Sequence, residues 1–296
     1  MTNKREKKLT KGLTQPTFFD ENTLVENVGP CVSAPDEQPK ARKASKPRMP
    51  REDIRAIQDL LWKEALLAVQ DVERFEDVEG FQEHLRRELP QNSLETRSRY
   101  GQTLVRWFFP DGVRGLVASV WVNYREPSLV EEVLRCLYLQ AEPMMSAAVT
   151  DALFPIAENA VIPPSYLTNF IQQRFGEETP AKSIKRVKSN LRKLGFLVKE
   201  KGNQDALRPM SPSSTGFLII LHYLFARNEA HGIEFRTLAD NPFWKYLGFK
   251  SEDQLRSILK ESLNKGLIAK YLVADRIESI SFRFSFAQFV TERKRL

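Results

Sequence analysis

A chain of 296 residues with 42% hydrophobic content can bury a sizeable core, as one large domain or two to three small ones. Its net charge of +7 favours a polyanionic partner, and its two cysteines, Cys31 and Cys136, form no disulfide framework. The longest apolar run, Phe217 to Phe225, is about half of a membrane span, and the charged N-terminus lacks the apolar stretch of a signal peptide, so a cytoplasmic protein without membrane contact is expected.

The charge is unevenly spread. Residues 1–50 carry +4, residues 51–160 carry −7, residues 161–210 carry +6 and residues 211–296 carry +4. Residues 1–50 hold Pro16, Pro30, Pro35, Pro39, Pro47 and Pro50 among charged and small residues, the composition of a disordered basic tail. Within it Phe18 and Phe19 are costly to leave in water and suit docking. Lys4–Lys11 and Lys40–Arg51 add cations suited to nonspecific phosphate contact.

From about residue 51 the pattern turns helical. Ile54, Ile57, Leu60, Leu61, Leu67 and Ala68 fall at helical spacing. A second helix runs from Val78 to Leu89, and Asn92-Ser-Leu-Glu95 offers a cap and a capping-box glutamate for a third. Apolar helices follow over Val113–Val122, Leu129–Leu139 and Met144–Ala157. Residues 51–160 therefore read as a helical domain.

The second half changes character. Ser165 suits the cap of a helix through Phe175. In the next helix Ile184, Val187, Leu191 and Leu194 make one apolar stripe that ends at Gly195, and Phe196–Glu200 reads as a strand. The same order returns later: Leu255, Ile258, Leu259 and Leu263, then Gly266, then an apolar strand over Leu267–Val273 and another over Ile280–Phe286. This spacing predicts a mainly α protein: a helical bundle followed by two winged-helix modules, each a helix-turn-helix plus β-hairpin. The first is a basic winged-helix-like segment over 161–210, the second a C-terminal winged helix over 211–296. Winged helices also dimerise and dock, so the fold alone does not establish DNA binding.

The segment Lys182–Gly195 carries six basic residues and no acidic one. With the aliphatic stripe inward, Lys182, Lys185, Arg186, Lys188, Arg192 and Lys193 point out or to its edges, with Ser183, Ser189 and Asn190 beside them. Like charges at i,i+3 and i,i+4 repel, and an external anion relieves that. Long basic and short polar side chains suit phosphates and base edges. Lys182, Ser183, Lys185, Arg186, Lys188, Ser189, Arg192 and Lys193 are therefore the expected DNA contacts, with a solvated or partner-facing helix as the bland alternative. Arg97 and Arg99, beside Arg106 and Arg114, form a second candidate surface, weighed against salt bridges to the acidic Glu73–Glu88 segment. The sister helix Ser251–Gly266 offsets Arg256, Lys260 and Lys265 with Glu252, Asp253 and Glu261.

Catalytic signatures are missing. His84, His222 and His231 are scattered, Gly112-Val-Arg-Gly115 lacks the spacing of a phosphate loop, and no Cys/His set has metal spacing. A nuclease pairing of Asp111 with Glu200 is remote in sequence. The expectation is a non-enzyme with no catalytic residues, cofactor or metal.

From Leu89 to about Leu197 the chain resembles the BrxA family, small helical DNA-binding proteins of BREX bacteriophage-defence systems. The residues that carry it are the segment Leu89-Pro-Gln-Asn-Ser-Leu-Glu-Thr-Arg-Ser-Arg-Tyr-Gly-Gln-Thr-Leu-Val-Arg106, the apolar helices Val130–Leu139 and Met144–Phe154, and the helix-glycine-hydrophobic ending Ser183–Leu197. The resemblance implies binding to double-stranded DNA and work beside the other protein subunits of an antiviral defence complex, such as a methyltransferase and an ATPase. The N-terminal tail and the extra module after Ser213 depart from that pattern. Two alternatives stand beside this reading: a scaffold subunit docking on an ATPase-type partner, and a sequence-specific transcription or replication factor. Self-association is left open.

Overall fold

The computed structural model describes residues 57–292 other than 201, 203, 275 and 276. The tail 1–50, its Phe18–Phe19 pair and Ile54 lie outside the described residues.

The first described segment departs from the expected helix. Ile57, Leu60 and Leu61 are buried as the apolar spacing suggests, but the chain stays irregular until helix α1 (Trp62–Asp71). A later helix explains this. Its Asn190 accepts from the Leu60 N–H at 2.9 Å and donates to the Gln58 carbonyl at 3.0 Å. Those are backbone groups that a helix would use itself.

Helices α2 (Val78–Glu88) and α3 (Leu94–Phe108) begin at side-chain caps, Asp77 accepting from Gly80 N–H and Ser93 accepting from Thr96 N–H. The expected capping-box partner, Glu95, is replaced by Thr96, whose hydroxyl accepts from Ser93 Oγ at 2.7 Å. Helices α4 (Leu116–Tyr124), α5 (Pro127–Ala141) and α6 (Pro143–Ala147) follow, and α6 continues as a π-helical turn, Ala148–Leu153. Helix α5 is the hub. Its Val130, Val133, Leu134, Leu137 and Tyr138 are buried, and it packs against α3 and α4.

The next elements are β1 (Val161–Ile162), α7 (Tyr166–Phe175), α8 (Ala181–Lys193), β2 (Leu197–Lys199) and β3 (Asp205–Leu207). Three short strands form one sheet in the order β1-β3-β2. A second set follows: α9 (Ser214–Phe225), β4 (Gly232–Glu234), α10 (Phe235–Asp240), α11 (Phe243–Leu247), α12 (Glu252–Asn264), β5 (Ile268–Ala274) and β6 (Ile277–Phe282), closed by α13 (Phe286–Glu292). Its sheet has the order β4-β6-β5. The two sets thus share one grammar. In each a strand stands ahead of the long helix, that helix ends at a left-handed glycine, and an antiparallel hairpin pairs back on the first strand. The glycines are Gly195 at φ +85° and Gly266 at φ +65°. A side chain at either would strain that backbone.

The chain is mainly helical, with two small antiparallel sheets. One continuous hydrophobic core runs from Ile57 to Val290 through both sets. Helix α5 also touches α9 and α11 of the second set. The seam is polar as well: Glu132 on α5 accepts from Ser213 N–H at 3.0 Å and from Ser213 Oγ at 2.6 Å, at the cap of α9. Gly216 leaves room for that carboxylate, since a Cβ there would meet Glu132 Oε2 at 1.8 Å.

Candidate nucleic-acid interface

Helix α8 forms for the expected reason. Ile184, Val187, Leu191 and Leu194 are all buried. Removing four aliphatic side chains from water stabilises the helix by roughly 6–12 kcal/mol before ordering entropy is counted. It packs on α7, β2 and α6.

One flank of α8 is not solvent-facing as the sequence suggested. Ser183 and Asn190 are buried. Asn190 spends its amide group on Gln58, Leu60 and the Tyr138 hydroxyl, the last at 2.8 Å. Next to it Arg186 donates to the Ile57 carbonyl at 2.7 Å, and Lys193 donates to the Leu60 carbonyl at 2.9 Å. Ser183 and Asn190 are seven residues apart, as are Arg186 and Lys193, so each pair stacks two turns along the helix. That spacing, read beside the apolar stripe, is the sequence signal that could have separated a packed flank from an open face.

The six cations therefore have different surroundings. Arg192 makes a two-pronged bond to Asp205, 2.7 and 2.9 Å, joining α8 to its own hairpin. Lys193 pairs with Asp59 at 2.9 Å. Among the described residues Arg186 and Lys188 bond to neutral carbonyls, those of Ile57 and Pro164. Lys182 and Lys185 are exposed, with Ser189 half-buried. Among the described residues no carboxylate lies within 4.0 Å of Lys182, Lys185, Arg186 or Lys188.

The second arginine surface is more committed to the fold. Arg97 donates to the Arg87 carbonyl at 3.0 Å, and Arg106 reaches Glu142 at 4.0 Å. Arg99 is exposed beside Tyr100, 5.7 Å from the ring centre. Neither Arg97 nor Arg99 pairs with the acidic Glu73–Glu88 segment; Glu73 pairs with Arg125 instead.

Helix α12 is the internal control. Its Arg256 is ringed by Glu252 at 2.9 Å, Asp253 at 3.0 Å and Glu278 at 3.1 Å, and Lys265 pairs with Glu261. Five residues before the terminal glycine, where α8 has Asn190, α12 has the exposed Glu261; its buried polar residue, Ser262, stands one place later.

The remaining polar groups are placed structurally. Asp111 accepts from the Tyr223 hydroxyl and pairs with Arg227 at 2.6 Å; no interaction joins it to Glu200. Burial pushes the Cys136 thiol up to about 12, which suppresses thiolate chemistry near neutral pH. Among the described residues no three His, Cys, Asp or Glu side chains gather as a metal set, and no helix is long and apolar enough to cross a membrane. No family model, curated protein or solved structure matches the chain.

Proposed function

We propose that this chain is a non-enzymatic, duplex-DNA-binding protein built on two winged-helix modules, with the outward face of α8 as its DNA contact. The observation that carries this is the set Lys182, Lys185, Arg186 and Lys188, four cations on one helix with no carboxylate near them among the described residues. In a helix-turn-helix arrangement the second helix of the pair is the one offered to the major groove, and α8 holds that place after α7. Lys182 and Lys185 would meet phosphates, and Ser189 would lie between them. Arg192 and Lys193 hold the module together and supply field rather than contact. Membership of a BREX-type defence complex rests on the sequence resemblance alone.

A second reading has its own observation. The corresponding part of the C-terminal module keeps an acidic excess: a groove of about 510 Å³ is lined by Glu234, Asp240, Glu252 and Glu278 against Arg236 and Arg256, which pair with the last three, beside exposed Ile277. Acidic residues repel phosphate, so this module suits a protein partner, as in the scaffold alternative.

The test is binding to a mixed-sequence duplex across a salt series. Each phosphate contact contributes about −0.9 to the slope of log affinity against log salt. Lys182→Ala with Lys185→Ala should lower the slope by about 1.8 and leave the melting temperature unchanged. Equal slopes for wild type and variant would overturn the proposal.

A further inference from the structure

A second group of cations sits apart from the outward face of α8. Arg135 on α5 is half-buried, and its Nε donates to the Leu194 carbonyl at 3.0 Å. Its guanidinium carbon lies 5.9 Å from the Phe196 ring centre. Among the described residues no carboxylate comes within 4.0 Å of it. An arginine partly withdrawn from water without an ion pair is costly to hold, and an anion in the cleft would offset that. Arg208, exposed and likewise without an ion pair among the described residues, is tied to the same place, because its N–H donates to the Phe196 carbonyl at 2.9 Å. Its charge acts on Arg135 unfavourably, like on like, while Glu132 and Glu131 act on Arg135 favourably from beyond contact distance.

Both arginines line a cleft of about 320 Å³ between α5, the end of α8 and the 208–213 link that leads to the second module. The other charged groups facing it are mostly spent. Arg192 is held by Asp205, Lys193 by Asp59, and Glu132 by Ser213. Glu131 faces the cleft and makes no ion pair with Arg135. Two planar guanidinium groups at one opening match the paired oxygens of a phosphoryl group better than any neutral ligand.

We propose that Arg135 and Arg208 form a binding site for a phosphoryl group in this cleft. The chemistry is common to two sources, the backbone of a bound nucleic acid and a soluble phosphorylated small molecule. This site does not depend on the reading of α8.

The experiment measures pyrophosphate and a nucleoside monophosphate by titration calorimetry and thermal shift at fixed ionic strength, with wild type and Arg208→Gln. Arg208 is exposed, so the variant should fold normally. Wild type should bind pyrophosphate and gain stability from it, and Arg208→Gln should weaken that binding at least about ten-fold. Arg135→Lys, which keeps the charge and loses the fork, should weaken it too. A duplex arm separates the sources. If Arg208→Gln also lowers the duplex salt slope by about 0.9, the phosphoryl group belongs to nucleic acid. If the duplex slope holds while pyrophosphate binding falls, it belongs to a small molecule. Binding that is absent or equal in wild type and Arg208→Gln, with an unchanged duplex slope, would overturn the site. Lys182→Ala with Lys185→Ala should leave pyrophosphate binding intact, so failure here and failure of the α8 reading are told apart.

Discussion

Helices α8 and α12 hold the same place in two sets of elements that share strand order, hairpin and terminal glycine, and they differ in electrostatics. On α12 each acidic residue answers a nearby cation, so its face is close to neutral. On α8 the acids that answer Arg192 and Lys193 come from other elements, and four further cations go unanswered among the described residues. The flanks differ as well: α8 uses one flank to clamp the irregular Ile57–Leu61 segment through Asn190. The lesson is that a shared topology does not set function. What separates the two helices is which charges the rest of the chain neutralises.

The largest effect should come from the clamp. Asn190→Ala leaves the buried Leu60 N–H and Tyr138 hydroxyl without a partner and frees the Gln58 carbonyl to water, and should cost about 3–4 kcal/mol by denaturant unfolding. On α12, Ser262→Ala at the nearest buried polar side chain should cost under about 1 kcal/mol. Equal costs would erase the contrast between the flanks.

Next is the tie between α8 and its hairpin. Asp205 is 6% exposed, and Arg192→Ala strands its carboxylate. A fully buried broken pair costs about 3–5 kcal/mol; with Arg192 partly exposed, about 2–3 kcal/mol is expected from thermal unfolding. Arg256→Ala on α12 removes one cation from between the exposed Glu252 and Asp253 and the half-buried Glu278, and should cost about 1 kcal/mol. If Arg256 proves the costlier of the two, the assignment of structural cations is reversed.

The smallest effect is a pH dependence at the seam. Burial raises the Glu132 carboxyl above its ordinary range, against the hydrogen bonds from Ser213. The folded state then holds its proton more tightly than the unfolded state. Its contribution to stability is complete below the ordinary carboxylate pKa and is lost as pH rises through the folded value. Glu132→Gln keeps the contact with the Ser213 N–H and should flatten the part of the profile that lies just above the ordinary carboxylate range. A melting-temperature profile identical in slope to wild type would contradict that placement.

Much of the fold was legible because local signals agreed with it. The stripe Ile184, Val187, Leu191 and Leu194, followed by Gly195, describes α8 nearly to the residue. The two-residue strand Val161–Ile162 was not legible. Nothing in so short a stretch has a period, and it exists because β3 offers it a partner. Helical spacing over Ile57–Leu61 misled because a side chain 130 residues away claims its backbone. The candidate site was half legible. Net charge along Lys182–Lys193 is plain in the sequence, whereas which cation meets Asp205, Asp59 or a bare carbonyl depends on the tertiary fold.

The most direct measurement is photo-crosslinking to a mixed-sequence duplex from a benzophenone amino acid placed at Lys185 on α8 or at Lys260 on α12. Both positions are exposed, so neither should disturb folding. Crosslinks from position 185 that fade with rising salt, with few from position 260, are the predicted result. Crosslinks from position 260 equal to or exceeding those from position 185 would contradict the account.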